Sequence, residues 1–218
     1  MSQTVQIYGA TFSVFVRVVA LVCEEKNIPY QYSKTLKHQP FEMHSEAHFN
    51  LHPFGKIPIL QHGDNTLCET ASIIRYLDRA FGPETLQGGN EWERAHIDQW
   101  CSLITHYIDF YVVRQFMLEL VFPKGANGEP RLDVIADNRP RAEHALNIIA
   151  QQLGDTDYLV GDQFSLADAM LAPMLAYNKD APDCINLVRA HPKLLQYANR
   201  LQARASGQRV LRPMSESM

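Results

Sequence analysis

The sequence predicts an α/β domain followed by an all-helical domain. Short apolar or alternating runs separated by turn residues fill the first part of the chain, whereas from Glu91 onward only helical patterns are found. Loop signals at Phe81-Gly82-Pro83 and Gly88-Gly89-Asn90 separate the two parts. We therefore place the α/β domain at residues 1–82, a linker at 83–90 and the helical domain at 91–218.

The amino-acid composition excludes several classes of protein. The 218 residues carry a net charge of -4, which argues against a dedicated nucleic-acid binder. There is no signal peptide and no long apolar span, so we expect neither secretion nor membrane insertion. The four cysteines contain no Cys-x-x-Cys pair. They indicate reduced thiols of a cytoplasmic protein, and neither a disulfide framework nor a zinc site; they are Cys23, Cys68, Cys101 and Cys184.

The first part of the chain shows a strand, a helix and a second strand. Residues 5–8 alternate as a short strand does, and Ser13 stands before an apolar helix that ends near Asn27. Pro29 prevents the helix from continuing, and residues 30–33 form the next strand. If the two strands are parallel, this unit is a right-handed crossover.

A hairpin and another helix complete the α/β domain. Residues 40–50 are weakly helical, and the turn Gly63-Asp64-Asn65 separates two short apolar runs before a helix that starts near Glu69-Thr70. The resulting order, β-α-β-α-β-β-α, is that of a thioredoxin-like fold. Pro58 cannot donate to a sheet. A cis bond before it would leave the backbone of Ile57 free to pair with a group outside the protein.

Four helices are predicted in the second domain. The third begins with Ser165-Leu166-Ala167-Asp168, which has the Ser-x-x-acid arrangement of a capping box. Pro140 marks a kink or break within the second. The helices cover residues 91–122, 131–153, from 165 onward, and 192–205.

Two motifs give the chain a resemblance to a known family. The runs Pro53-Phe54-Gly55-Lys56-Ile57-Pro58 and Glu69-Thr70-Ala71-Ser72-Ile73-Ile74-Arg75-Tyr76-Leu77 resemble the glutathione-binding core of cytosolic glutathione transferases. That family usually shows Asn-Pro-x-Gly-x-Val-Pro and Glu-Ser-x-x-Ile-x-x-Tyr-Leu, so this chain departs at His52, Ile57 and Thr70. Residues 161–168 resemble the capping motif of the family's helical domain. The resemblance implies the glutathione transferase fold, a homodimer and a cytoplasmic location.

The span from Tyr8 to Arg17 resembles the serine-type transferases, of the theta/phi kind or a related bacterial or fungal class. This resemblance implies that Ser13 meets the glutathione sulfur. A hydroxyl donor and the positive end of a helix both favour a thiolate over a thiol. From the spacing alone, a helix cap is the better explanation of Ser13. The rest of the motif reverses this preference in favour of the catalytic role. Tyr8 and Thr11 are the competing candidates for thiol activation.

The second motif implies the other glutathione contacts. Glu69 pairs with the ammonium of the γ-glutamyl end, while the Thr70 hydroxyl and helix N–H groups receive its carboxylate. Ile57, followed by Pro58, offers its backbone to the cysteinyl part as an added strand. Either Lys56 or His44 binds the glycine carboxylate, with His38 as an alternative. The simpler interpretation of Glu69 and Thr70 is an ordinary helix start. For the three basic candidates it is a solvated polar face.

The histidines and the aromatic residues raise the questions of a metal site and of an electrophile site. His44, His48 and His52 follow each other at a spacing of four, but no cysteine or acidic ligand set joins them, so no metal is expected. The resemblance implies that the long helix forms one wall of an electrophile pocket, which Tyr107 and Tyr111 would face. Phe12, beside Ser13, is either a further contact of this pocket or a loop aromatic packed into the core. Aromatic residues at helical spacing are more often part of a core.

We therefore expect a glutathione transferase that activates the thiol of its co-substrate glutathione for attack on a small apolar electrophile held between the domains. No nucleic acid or membrane is expected as a partner. Two alternatives remain. One is a non-catalytic module that binds glutathione or another ligand, and the other is a glutathione-dependent reductase, isomerase or peroxidase on the same scaffold.

Overall fold

The computed structural model describes residues 4–33, 35–36, 39–40, 42–182 and 185–213. The chain forms two compact units. Among the described residues, those up to Gln87 and those from Arg204 onward belong to the first unit, and those from Gly88 to Ala203 belong to the second.

The first unit contains a mixed sheet of four strands, with one parallel and two antiparallel pairs. Strands β1 (Val5–Tyr8) and β2 (Tyr30–Ser33) are parallel, with Val5 opposite Tyr30. Strand β5 (Ile59–His62) is antiparallel to β1, and β6 (Asn65–Cys68) is antiparallel to β5. Two further short strands, β3 (Thr35–Leu36) and β4 (Gln39–Pro40), pair with each other and were not predicted.

The β5–β6 hairpin closes through the predicted turn. His62 pairs with Asn65, so Gly63 and Asp64 form a two-residue loop. Gly63 has a φ of 59°, and a positive φ at the first loop position is what such a tight hairpin favours. This turn fixes the register that carries β6 to the start of the next helix.

Three helices of the first unit follow the predicted order. They are α1 (Val14–Glu25), α2 (Glu46–Leu51) and α3 (Thr70–Ala80). Eight consecutive α1 residues, 16–23, are buried, and all of them except Arg17 are apolar, as expected for a helix enclosed by the rest of its unit. The thioredoxin-like order of elements is therefore confirmed.

The second unit is helical among the residues described. Helix α4 (Glu91–Leu103) runs into a π-helical stretch (Ile104–Met117) and then α5 (Leu118–Val121). This matches the predicted long helix, except that the wide π-helical turns were not foreseen. Helix α6 (Leu132–Leu153) continues through Pro140, so that proline does not end it. The last two helices are α7 (Leu166–Lys179) and α8 (Pro192–Ala203).

Helix α7 is the centre of the second unit. Thirteen of its residues are buried, and it packs against α4, the π-helical stretch and α8. Its start carries the predicted capping box. The Asp168 carboxylate accepts hydrogen bonds from the Ser165 N–H at 2.8 Å, from the Leu159 N–H at 2.8 Å, and from the Tyr197 hydroxyl. These donors give a fully buried carboxylate the partners that its burial requires.

The chain returns to the first unit at its C-terminal end. Helix α9 (Ala205–Val210) packs against α1. The Arg204 guanidinium donates two hydrogen bonds to Glu25, at 2.8 and 2.7 Å, and Arg209 pairs with Glu24 at 2.6 Å. From the sequence, all residues from 91 onward were expected in the helical domain. The return of α9 to the first unit was not predicted, because ion pairs between residues this far apart leave no local pattern.

Candidate active site

Ser13 lies where β1 has ended and α1 begins. Its N–H donates to the Ala10 carbonyl at 2.9 Å, and its own carbonyl accepts the Arg17 N–H at 3.0 Å, so Ser13 occupies the N-cap position. Within the described chain, however, its side chain makes no capping hydrogen bond. The first turn of α1 carries no acidic side chain that would neutralise the positive end of the helix dipole. The hydroxyl and the helix N-terminus together therefore form a site suited to an anion.

The loop that holds Ser13 lies against Ile57. The β1–β5 register pairs Tyr8 with Ile59, which brings Gly9 to the segment just before β5. A Cβ added to Gly9, whose φ is 142°, would stand 2.5 Å from Val16 Cγ2 and 3.0 Å from Ile57 Cβ. Only glycine fits such a close approach. The structure thus brings together the predicted catalytic loop and the predicted binding strand.

The peptide bond between Ile57 and Pro58 is cis. Strand β5 begins only at Ile59, so Ile57 lies beyond the ladder. Among the described residues, no backbone hydrogen bond involves the N–H or the C=O of Ile57. Both groups are therefore available to a peptide-like ligand that extends the sheet.

Glu69 and Thr70 lie at the start of α3. Glu69 has a φ of 69°, a conformation that non-glycine residues rarely adopt and that is found most often at functional sites. Its side chain is 65% exposed, whereas Thr70 is buried. A carboxylate beside a helix N-terminus complements a ligand with adjacent ammonium and carboxylate groups.

His52, which replaces the asparagine usual in the family motif, is buried and fills a similar role. Its Nδ1 accepts the Phe54 N–H at 3.3 Å, and its carbonyl accepts the Gly55 N–H at 2.8 Å. An asparagine amide oxygen would accept the same N–H in an Asx turn. The Nε2 of His52 lies 3.5 Å from Glu69 Oε1, which connects this loop to the start of α3.

His44 and Lys56 are both exposed and are connected through the buried His48. The His44 N–H lies 3.0 Å from His48 Nδ1, and His48 Nε2 lies 3.0 Å from the Lys56 carbonyl oxygen. In the sequence, only the spacing of the histidines singles out His48, and this bridging role was not predicted. His38, the third candidate, is outside the described residues.

The spacing of the three histidines does not produce a metal centre in the part of the chain that is described. The rings of His48 and His52 are engaged by backbone groups. Nowhere among the described residues do three His, Cys, Asp or Glu side chains form a group that could hold a metal ion.

Tyr8 and Thr11, the competing candidates for thiol activation, lie in environments that differ from that of Ser13. Tyr8 is fully buried, its hydroxyl lies 2.6 Å from Gln61 Oε1, and burial raises the pKa of this phenol. Thr11 is half-buried, and its carbonyl accepts the Arg17 Nε–H at 3.1 Å. Arg17 is itself buried and also donates to the Arg212 carbonyl at 2.6 Å, so it connects the Ser13 loop to the end of the chain. This role of Arg17 was not predicted from the sequence.

The described cysteines do not provide a reactive thiolate. Burial raises the pKa of Cys23, and burial together with the neighbouring Glu69 raises the pKa of Cys68. Cys101 is buried, and Cys184 lies outside the described residues. A cysteine-based reductase mechanism has no support in these environments.

The predicted electrophile contacts lie on two separate elements. Tyr107 is 55% exposed and Tyr111 is half-buried, both on the π-helical stretch of the second unit. Phe12 is half-buried in the loop before Ser13 in the first unit. Between the two tyrosines lies Asp109, whose pKa is raised by burial and lowered by Arg114 at 2.7 Å, with a net upward shift.

Comparison with known proteins agrees with this arrangement. The family model of the glutathione S-transferase N-terminal domain matches residues 7–85 of this chain. The family model of the glutathione S-transferase C-terminal domain matches residues 133–200. Glutathione S-transferase 4 of maize (Zea mays) is 30% identical over 207 residues, which cover 94% of this chain and 91% of the relative.

Solved structures give the same result. Poplar glutathione transferase F1 aligns with a TM-score of 0.82 and 25% identity over 95% of this chain and 96% of that chain. Maize glutathione S-transferase I, solved in complex with an atrazine glutathione conjugate, aligns with a TM-score of 0.81 and 26% identity over 95% and 96% of the two chains.

The chain therefore belongs to the glutathione S-transferase family. It is a glutathione transferase, whose reaction joins glutathione to an electrophilic substrate. The predicted fold and the predicted resemblance are confirmed, and the class is phi-like. In the part of the chain that is described, no helix has the length and apolar character needed to cross a membrane.

Proposed function

We propose that Ser13 activates the glutathione thiol and that glutathione lies along Ile57 and Pro58. The observation that carries this proposal is the Ser13 hydroxyl, which stands at the N-terminus of α1 without serving as its cap. The close approach of Gly9 to Ile57 supports it, because a cysteinyl residue paired with Ile57 then lies next to the Ser13 loop.

The energetics of activation are within reach of this arrangement. A free thiol has a pKa of about 8.5, and lowering it by about two requires about 2.7 kcal/mol of preferential thiolate stabilisation. A hydrogen bond to a charged group contributes about 1.5–3 kcal/mol. A helix N-terminus adds about 0.3–1 kcal/mol, which makes the two effects together sufficient.

The other contacts follow the shape of glutathione. Glu69 pairs with the γ-glutamyl ammonium, and Thr70 with the first N–H groups of α3 receives the adjacent carboxylate. The exposed His44 and Lys56 receive the glycine carboxylate, which lies at the opposite end of the tripeptide. The positive φ of Glu69 and of His44 supports both assignments, since such backbone strain is retained mainly at functional sites.

The second substrate is a small apolar electrophile, with Phe12, Tyr107 and Tyr111 as its contacts and detoxification as the biological role. The protein acts in the cytoplasm without a metal ion, and neither nucleic acid nor membrane is a partner.

It works as a homodimer through α3 and α4, where Trp92 exposes 77% of its surface. Analytical ultracentrifugation tests the dimer: Trp92→Glu is expected to convert a dimer into a monomer, and a monomeric wild-type protein contradicts it.

Steady-state conjugation tests the proposal. With glutathione and an activated aryl halide, the wild-type protein is expected to form the thioether conjugate, detected by mass spectrometry. Ser13→Ala should lower kcat/KM at least about 100-fold, which corresponds to about 2.7 kcal/mol. Glutathione binding without conjugation would instead favour the non-catalytic module, and turnover without a conjugate would favour a reductase, isomerase or peroxidase.

A further inference from the structure

A buried imidazole, that of His48, joins the two segments that carry the glycine-end candidates. His48 has no exposed surface. One ring nitrogen meets the backbone of His44 and the other meets the backbone of Lys56, each at 3.0 Å. The bridge spans two loops, because His44 precedes α2 and Lys56 follows it.

The contacts define the tautomer of this ring. A backbone N–H can only donate, so His48 Nδ1 accepts the hydrogen bond from His44 and carries no proton. In the neutral ring the proton is then on Nε2, which donates to the Lys56 carbonyl. Both ring nitrogens therefore form hydrogen bonds with backbone groups, and the ring sets the spacing between the two backbone segments.

The segment before α2 needs such support. His44 has a φ of 63°, a strained conformation for a non-glycine residue that persists only where the surrounding structure holds it. The His48 N–H is itself fixed by Ser45 Oγ at 3.2 Å, at the start of α2. The helix start, the bridging ring and the strained residue therefore form one connected unit.

The loop after α2 packs onto the same unit. A Cβ added to Gly55 would lie 2.8 Å from Phe49 Cε1 and 3.2 Å from His44 Cδ2. The rings of His48 and Phe49 are also stacked, with centroids 6.2 Å apart. A shift of the His48 ring would consequently move His44 and the backbone of Lys56 relative to each other.

We infer that His48 is a positioning residue that sets the distance between His44 and Lys56 and so determines the affinity for the glycine end of glutathione. This inference rests on the proposed function, in which those two residues receive the glycine carboxylate. His48 does not contact the ligand; it acts through the two backbone groups that it bridges.

Two conservative variants separate the two hydrogen bonds of the ring. His48→Asn keeps an acceptor near Nδ1 but loses the donor to Lys56, whereas His48→Gln keeps a donor near Nε2 but loses the acceptor of His44. His144→Asn is the control, because His144 is an exposed histidine of α6 in the second unit. Melting temperatures establish that each variant is folded.

The ligand pair is glutathione and γ-glutamylcysteine, which lacks the glycine. By isothermal titration calorimetry, each His48 variant should bind glutathione about three- to tenfold more weakly, the factor expected for one lost hydrogen bond. Binding of γ-glutamylcysteine should change less than about twofold, since it does not reach the glycine-end site. The value of kcat at saturating glutathione should also stay within about twofold, while KM for glutathione rises.

A purely structural role would weaken both ligands alike, and that result, or unchanged binding of both, overturns the inference. Wild-type protein that binds no glutathione overturns the proposed function itself, which is a distinguishable result. If neither variant folds, nitrogen NMR of His48 in the wild type decides. The Nε2–H tautomer should be present, and its signals should respond to glutathione but not to γ-glutamylcysteine; another tautomer or equal responses contradict the inference.

Discussion

Replacing Gly9 with alanine tests whether the close approach of the Ser13 loop to Ile57 builds the glutathione site. The added methyl group would lie 2.5 Å from Val16 Cγ2 and 3.0 Å from Ile57 Cβ, which is closer than carbon atoms pack. Relieving such overpacking costs about 1–3 kcal/mol. The backbone adds about 1–3 kcal/mol, because alanine is strained at the φ of 142° found here.

The expected loss of stability for Gly9→Ala is the sum of these terms, about 2–6 kcal/mol. Gly82→Ala is the matched control: its φ of 88° imposes comparable strain, but no atom lies within 4 Å of the added Cβ. Chemical denaturation should therefore show a larger loss for Gly9→Ala. In addition, KM for glutathione should rise at least about tenfold in Gly9→Ala, a factor that corresponds to about 1.4 kcal/mol, and stay near the wild-type value in Gly82→Ala. Equal KM values in the two variants would refute the placement of glutathione beside Gly9.

Two further predictions concern His52 and Glu25. His52→Asn should retain stability and glutathione affinity because its amide oxygen can accept the Phe54 N–H, whereas His52→Leu should lose about 1–3 kcal/mol in denaturant unfolding; equal losses would contradict this. Burial raises the pKa of Glu25, but the hydrogen bonds from Arg204 and Ser206 and the positive charge of Arg204 together lower it, so the net shift is downward. Its contribution to stability is therefore present above the unfolded carboxyl pKa of about 4.3 and is lost as pH falls through the lowered folded pKa. Glu25→Gln should be about 1–3 kcal/mol less stable than wild type at neutral pH, with the difference shrinking in acid; a pH-independent difference would contradict the ion pair.

The features predicted from the sequence are those with local causes. The β5–β6 hairpin follows from Gly63, the capping box from Ser165 and Asp168, and the end of α1 from Pro29, and each lies within a few residues of its effect. The resemblance to the family also predicted which of these elements lie next to one another around the glutathione site. It could do so because the family's motifs have a fixed internal spacing.

The features missed depend on contacts between distant parts of the chain. Arg17 reaches the carbonyl of Arg212, and α9 returns to the first unit through ion pairs with α1. His48 bridges two loops through backbone groups, which have no side-chain signature. The π-helical stretch likewise left no pattern distinct from an ordinary helix.

The central claim is that Ser13 stabilises the glutathione thiolate. The ultraviolet absorbance of the bound thiolate, followed against pH, measures this directly in the wild type, in Ser13→Ala and in the control Ser102→Ala, which changes an exposed serine of the second unit. We predict a thiolate pKa below neutrality in the wild type and in Ser102→Ala, and a value raised by about one or more in Ser13→Ala, since a hydrogen bond to a charged group is worth about 1.5–3 kcal/mol. An identical pKa in wild type and Ser13→Ala would contradict the claim and transfer thiol activation to Thr11, to Tyr8 or to the N–H groups of α1.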